Sequence, residues 1–260
     1  MTDPARVVIS IDGGVAEVVL NRPDKRNGLD LALFEALVAA GERLADDGEV
    51  RAVVLRGEGK AFCAGLDWLA FMALGGEAAE RLLARDVSVS PANIAQRACW
   101  IWRELPVPVI AVVHGATYGG GLQLALACDI RIAAKDARLS AMEVRYGLIP
   151  DMTASATLLE LVRPDVAREL IYTGRVVEAE EAVRIGLCTR IADDALAAAR
   201  ELARTIAAQS PDAVRAAKRL CNEAPRLPIA EAFQLETQLQ LGLLGTPGQL
   251  AAVQAALTKR

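Results

Sequence analysis

A single histidine, His114, serves all 260 residues, which leaves little room for imidazole chemistry. A Ser-His-Asp relay through it would also need a serine nucleophile, and the chain has no G-x-S-x-G elbow. His114 closes a strand-like run and reads as structural. The five cysteines (Cys63, Cys99, Cys128, Cys188 and Cys221) are scattered without close pairing, which excludes a disulfide framework or a zinc site. They read as reduced, buried, small apolar residues, and no metal is implied. Although 53% of the residues are hydrophobic, no uninterrupted apolar run reaches bilayer-spanning length, so membrane insertion is not expected. The 29 basic and 33 acidic residues are mixed along the chain and form no basic stripe for nucleic acid. The start, Met1-Thr2-Asp3-Pro4-Ala5-Arg6, is polar and lacks the apolar stretch of a signal peptide, so the expected location is cytoplasmic.

What is present reads as one α/β unit with a helical end. Apolar runs at 7–11 and 15–20 flank Asp12-Gly13-Gly14, a hairpin signal. Asp30 is placed to cap a helix through Leu33, Phe34, Leu37 and Leu44. Strand composition returns at 50–55 and 107–113, a helix is expected over 121–128, and short strands over 130–132 and 137–140. Strand, helix, strand is the crossover pattern of a parallel sheet. Leu74-Gly75-Gly76-Glu77 reads as a stop between two helices, and Pro164 and Pro211 as first-turn residues of new ones. The spacing divides the chain into a core over 1–194 and an alanine- and leucine-rich helical region over 195–260. That region packs either on the core or on a neighbouring subunit.

Two glycine-bearing turns carry the chemistry: Phe62-Cys63-Ala64-Gly65-Leu66-Asp67 and Gly115-Ala116-Thr117-Tyr118-Gly119-Gly120-Gly121. Each follows a strand-like run and can present bare backbone N–H groups. Converging amides are what a thioester carbonyl needs when it becomes an enolate, since they meet the new charge without reorganising. The second turn fits neither G-x-G-x-x-G nor the Walker A pattern, so the glycines point to an acyl thioester rather than NAD or ATP.

The two turns belong to a set of five motifs in fixed order. These are Asn21-Arg22-Pro23-Asp24-Lys25-Arg26-Asn27, then Ala61 through Asp67, then the glycine triplet with Ala127-Cys128-Asp129-Ile130-Arg131, then Glu143-Val144-Arg145-Tyr146-Gly147-Leu148-Ile149-Pro150, and Thr173-Gly174-Arg175. Over residues 7–225 this order resembles the crotonase superfamily, the enoyl-CoA hydratase/isomerase family. The resemblance implies a spiral of ββα units with a helical C-terminal trimerisation region, assembled as a homotrimer or a dimer of trimers. It also implies acyl-CoA as substrate, with CoA arriving as part of the substrate and no separate cofactor. By motif position the oxyanion donors are the N–H groups of Leu66 and Gly120. Lys25 and Arg26 match a basic segment near the CoA phosphates, and the stretch with Lys60, Ala61, Phe62 and Ala64 matches the one that receives the adenine. The alternative for Lys25, Arg26 and Lys60 is a solvated surface turn. Trp68 and Phe71 are placed to line the acyl tunnel, and Trp100 and Trp102 to sit in the core.

Two departures from the family pattern shape the expected reaction. Hydratases of this family hold a water between two glutamates, whereas this chain has Gln123 at the first position and Glu143 at the second. An amide is no base, although Gln123 could orient a water by hydrogen bonding. Asp151 stands where hydratases have glycine, eight residues after Glu143, an offset shared by the dienoyl-CoA isomerase branch. Glu143 with Asp151 could shuttle a proton without added water. Asp151 could instead cap the helix that follows. The expected activity is therefore enoyl-CoA isomerisation, with Glu143 as the base. The alternatives are hydration by Glu143 alone and a non-catalytic acyl-CoA-binding protein.

Overall fold

Asp12-Gly13-Gly14-Val15 turns the chain back on itself, with both glycines at positive φ (55° and 79°). A two-residue turn between right-twisted strands requires that backbone. It joins β1 (Val7–Asp12) to β2 (Val15–Leu20), antiparallel, with Val7 opposite Leu20. The computed structural model describes residues 5–85 and 90–258. The polar start at residues 1–4, positions 86–89 and the last two residues lie outside the described residues.

Asp30 accepts a hydrogen bond from Leu33 N and caps α1 (Leu31–Ala45), which buries Leu33, Phe34, Leu37 and Leu44. Each such side chain contributes about 1.5–3 kcal/mol by leaving water. The chain then runs through β3 (Ala52–Gly57), α2 (Trp68–Leu74), α3 (Gly76–Leu83) and α4 (Ile94–Glu104). Next come β4 (Val109–Val113), β5 (Ala116–Tyr118), α5 (Gly120–Ala127), β6 (Ile130–Ala133) and β7 (Arg138–Ser140). The remainder is α6 (Ala154–Leu161), α7 (Pro164–Thr173), β8 (Val177–Glu178), α8 (Ala179–Arg184), β9 (Arg190–Ile191), α9 (Ala195–Ala207), α10 (Pro211–Glu223), α11 (Ile229–Leu243) and α12 (Pro247–Thr258). Gly75, at φ 63°, separates α2 from α3, and Pro164 and Pro211 open α7 and α10.

One sheet has the order β1-β2-β3-β4-β6-β9, parallel after its first pair; β5, β7 and β8 form a second. The chain alternates between them, β4 to β5 to α5 and β6 to β7 to α6. Bridges from Ala61 to Gly115 and from Cys63 to Thr117 bring the segment after β3 alongside β5. Successive strand, strand, helix turns therefore stack by parallel pairing into a spiral. Two strands start later than expected. Val50 N bonds the turn oxygen of Asp47, and Pro106 and Pro108 have no N–H to give a ladder, so pairing begins at Ala52 and Val109.

Ala195, Ala199 and Ala203, four residues apart on α9, pack with Val54, Ile110 and Ile132 on the larger sheet. The first C-terminal helix thus covers the sheet of its own chain. Lys218 ties α10 down: its buried Nζ donates to Trp102 O (3.2 Å), Val107 O (2.8 Å) and Asp129 Oδ2 (2.8 Å). Beyond it, Ile229, Phe233, Leu241, Leu244, Leu250 and Leu257 are exposed on and around α11 and α12. Among the described residues, no helix is long and apolar enough to cross a membrane.

Two core expectations need correction. Cys221 is exposed on α10, while the other four cysteines are buried; all five are free. Trp102 is fully buried, but Trp100 is only half-buried, with the guanidinium groups of Arg103 and Arg226 each 5.5 Å from its ring. Both arginines pair with Glu160, which holds the aromatic at the surface between cations rather than in the core.

Candidate active site

Backbone bonds lace the two glycine turns together. Phe62 N donates to His114 O (2.9 Å), Cys63 N to Ala116 O (3.2 Å) and Tyr118 N to Cys63 O (3.0 Å). The approach leaves no room for side chains. A Cβ on Gly65 would lie 2.8 Å from Tyr118 O, and one on Gly121 would lie 2.2 Å from Cys63 O. Gly65 also holds φ 88° and Gly119 φ 52°, backbone that L side chains rarely adopt.

The same lacing leaves two N–H groups over. Leu29 takes both bonds of its bridge to the first turn: its N–H donates to Gly65 O (2.8 Å) and its O accepts from Asp67 N (3.0 Å), so the Leu66 N–H between them is unused. Gly120 is the first residue of α5, where a helix has no internal acceptor for its N–H. Neither N–H has an acceptor among the described residues. Leu66 and Gly120 line one cavity of about 310 Å³, and the positive end of α5 adds to the pull on an anion there.

Glu143, Gln123 and Asp151 line that cavity too. Glu143 begins a short 3-10 turn (Glu143–Tyr146) that Gly147 ends at φ 72°. Gln123, on α5, is 1% exposed and fixes its amide in both directions. Its Oε1 accepts from Met152 N (2.7 Å) and Ala154 N (3.1 Å), while its Nε2 donates to Glu143 Oε1 (2.6 Å). The second oxygen of Glu143, Oε2, is buried with no hydrogen-bond partner among the described residues. Burial pushes the Glu143 carboxyl above the usual range; the Gln123 bond opposes this and the nearby Asp151 charge adds to it. The Asp151 carboxyl is also raised, by partial desolvation, although the residue remains open to solvent.

Asp151 does not cap the following helix. Thr153 occupies the N-cap of α6 at φ 82° with no side-chain bond, and the amides of Met152 and Ala154 are met by Gln123 instead. One amide side chain therefore ties together the two segments that carry the carboxylates. Its position in the motif marked Gln123 as a departure, but only the fold shows that both ends of its amide are committed.

Trp68 and Phe71 line the cavity, and the Trp68 ring stacks on Tyr146 with centroids 5.0 Å apart. Phe34 of α1, Leu82 of α3 and Ala95 of α4 complete its apolar wall; nothing in their sequence context distinguishes them from core, so they were not legible as site residues. Ala64 lies in the wall as well, whereas the Ala61 and Phe62 side chains are sealed in the core and can offer a ligand only backbone. Lys25, Arg26 and Lys60 are exposed, in no ion pair among the described residues. The Arg26 backbone is tied to the cavity wall, its O accepting from Ala64 N (2.9 Å). Among the described residues no group of three or more His, Cys, Asp or Glu is arranged to hold a metal ion.

Comparison with known proteins adds to this geometry. Residues 10–246 match the family model described as enoyl-CoA hydratase/isomerase. The chain is 32% identical to the mitochondrial Δ(3,5)-Δ(2,4)-dienoyl-CoA isomerase of Rattus norvegicus, over 97% of this chain and 79% of that protein. The crystal structure of an enoyl-CoA hydratase from Bacillus anthracis superposes with a TM-score of 0.89 at 33% identity, covering 98% of this chain and 97% of that one. An enoyl-CoA hydratase from Mycobacterium smegmatis superposes with a TM-score of 0.88 at 34% identity, covering 99% and 98%.

Proposed function

Because this chain belongs to the enoyl-CoA hydratase/isomerase family and has the crotonase fold, we propose that it shifts a double bond in an enoyl-CoA thioester by moving a proton along the acyl chain. The observation that carries this is the state of Glu143: one oxygen is fixed by Gln123 and the other is buried with no partner among the described residues. A buried acceptor with nothing to accept costs about 1–3 kcal/mol, a cost that is relieved when a partner arrives. Here the partner is a carbon-bound proton of the substrate. As the C–H bond breaks, its electron pair moves into the thioester and places negative charge on the carbonyl oxygen, where the Leu66 and Gly120 N–H groups receive it. The electrons then return toward a different carbon, which takes up a proton from Glu143 or Asp151, and the double bond has moved. A carboxyl raised by burial suits both halves, since it is a stronger base when ionised and still gives the proton back. Deuterium exchange into a 3-enoyl-CoA in heavy water, dependent on Glu143, tests this and separates turnover from binding alone.

Gln123 is what sets this reading against water addition. Its carbonyl oxygen is filled by two amides and its nitrogen is committed to Glu143, so it supplies no second base. In Gln123→Glu a carboxylate oxygen would replace the nitrogen 2.6 Å from Glu143 Oε1. Like charges that close share a proton, so the acid limb of kcat/KM should move to higher pH, the direction in which one more ionisation is resisted. With two carboxylates present, hydration of a short 2-enoyl-CoA should rise. If the wild type already hydrates crotonyl-CoA rapidly and the substitution changes neither rate nor pH profile, Gln123 has no such role.

The exposed cations Lys25 and Arg26 are proposed to receive the CoA phosphates and the stretch from Lys60 to Ala64 the adenine, and neighbouring copies of the chain to cover the apolar residues of α11 and α12. Light scattering should give three or six chain masses. A monomer at micromolar concentration would contradict this assembly.

A further inference from the structure

A single guanidinium joins the caps of two helices beside the site. Arg22 Nη1 pairs with Asp67 Oδ2 (2.8 Å) and donates to Gly28 O (2.8 Å), while its Nε lies 3.3 Å from Asp30 Oδ2. Asp30 and Asp67 are the N-caps of α1 and α2, accepting from Leu33 N (2.8 Å) and Ala70 N (3.1 Å) through their other oxygens. All three side chains are only 11–14% exposed. Arg22 is itself anchored by the fully buried Asn27, which accepts from Arg22 N (2.8 Å) and donates its own N–H to Arg22 O (2.9 Å).

Between the two caps lies the peptide unit that ends in the Leu66 N–H. Its carbonyl is Gly65 O, held by Leu29 N, and the next N–H, of Asp67, is held by Leu29 O. A peptide unit is planar and trans, so pinning the carbonyl on one side aims the N–H to the opposite side, away from Leu29. That aim depends on residues 65–67 keeping their register against residues 28–30. The Arg22 clamp joins those two segments through Asp67 on one and through Gly28 O and Asp30 on the other. We propose that Arg22 is a positioning residue for the Leu66 N–H, fixing the direction of this donor without touching the substrate. The proposal rests on the reading of Leu66 as an oxyanion donor.

The test uses Arg22→Met, which keeps length but removes the charge, and Asp67→Asn, which removes the ion pair while leaving an equally good helix cap. A small misplacement of a group acting on the transition state costs up to about a hundred-fold, so each variant should lower kcat on a 3-enoyl-CoA by about ten- to a hundred-fold. KM should change little, because the lost interaction belongs to the transition state. Two probes give a readout that a merely structural role would not split. Acetoacetyl-CoA, bound as its enolate and followed by its ultraviolet absorption, should weaken in step with kcat; butyryl-CoA, neutral at the same oxygen, should bind as to wild type. The double variant should be no worse than either single one, since both remove the same clamp. Unchanged kcat, equal weakening of both ligands, or additive losses would overturn the proposal. If Glu143→Gln abolishes exchange while Arg22→Met is fully active, only the clamp fails. If the wild type shows no exchange, the reading beneath it fails as well.

Discussion

Glu143→Gln should slow double-bond migration by about two to four powers of ten while leaving acyl-CoA binding nearly unchanged. The substitution keeps size, and the new side-chain oxygen can still accept from Gln123 Nε2, now 2.6 Å from Glu143 Oε1. What disappears is the buried ionisable oxygen that has no partner among the described residues. Stability should hold or rise, because burial makes the charged carboxylate costly in the folded state. Asp151→Asn makes the contrast. The Asp151 carboxyl caps no helix, so asparagine disturbs no cap, and a loss of rate reports on the cavity's chemistry rather than on the helix. A large loss in both variants identifies a two-carboxylate shuttle, whereas a loss in Glu143→Gln alone identifies one base that both takes and returns the proton. Steady-state rates on a 3-enoyl-CoA, with calorimetric binding of the same ligand to each variant, decide between them. Full activity in Glu143→Gln would refute the mechanism.

The second large effect is expected from Gly65→Ala, one methyl group added to the first turn. It would sit at φ 88° and meet Tyr118 O at 2.8 Å, an oxygen of the backbone that cannot swing aside. The turn must move away from β5, and with it the Leu66 N–H moves away from that of Gly120. Loss of one preorganised donor of this kind costs about a hundred- to a thousand-fold in kcat. The loss should appear in kcat more than in KM, as for an interaction that strengthens in the transition state. Gly48→Ala is the control, since its added methyl meets nothing within 4 Å. Equal kcat in Gly65→Ala and wild type would mean that the spacing of the two turns has no part in the chemistry.

How much of this was legible in the sequence differs by feature. The hairpin at Gly13-Gly14, the cap at Asp30 and the break at Gly75 were readable because each depends on a few adjacent residues. The glycine turns were readable for the same reason, as close approach and positive φ exclude other residue types. Strand starts were misplaced by two residues where prolines and a turn oxygen, rather than apolar composition, decide where pairing begins. Trp100 was misread because two of the groups that hold it at the surface, Arg226 and the Glu160 that pairs with Arg226 and Arg103, lie far along the chain. The role of Gln123 was half visible. Motif position marked it as unusual, but its bonds to Glu143 and to residues 152 and 154 exist only once α5 is packed against α6. The Arg22 clamp went unread because it joins two segments about forty residues apart that are brought together by a bridge between Leu29 and Leu66.

Double-bond migration and water addition leave different molecules, so product analysis on a panel of 2-enoyl-, 3-enoyl- and dienoyl-CoA thioesters decides between them. With Glu143 as the working base and an amide at Gln123, the 3-enoyl or dienoyl substrate should be converted to its shifted isomer faster than any substrate gains water. Chromatography of the quenched reaction should therefore show isomer as the main product, absent in Glu143→Gln. A 3-hydroxyacyl-CoA formed from the 2-enoyl substrate faster than any isomer appears would contradict the account and place this chain among the hydratases.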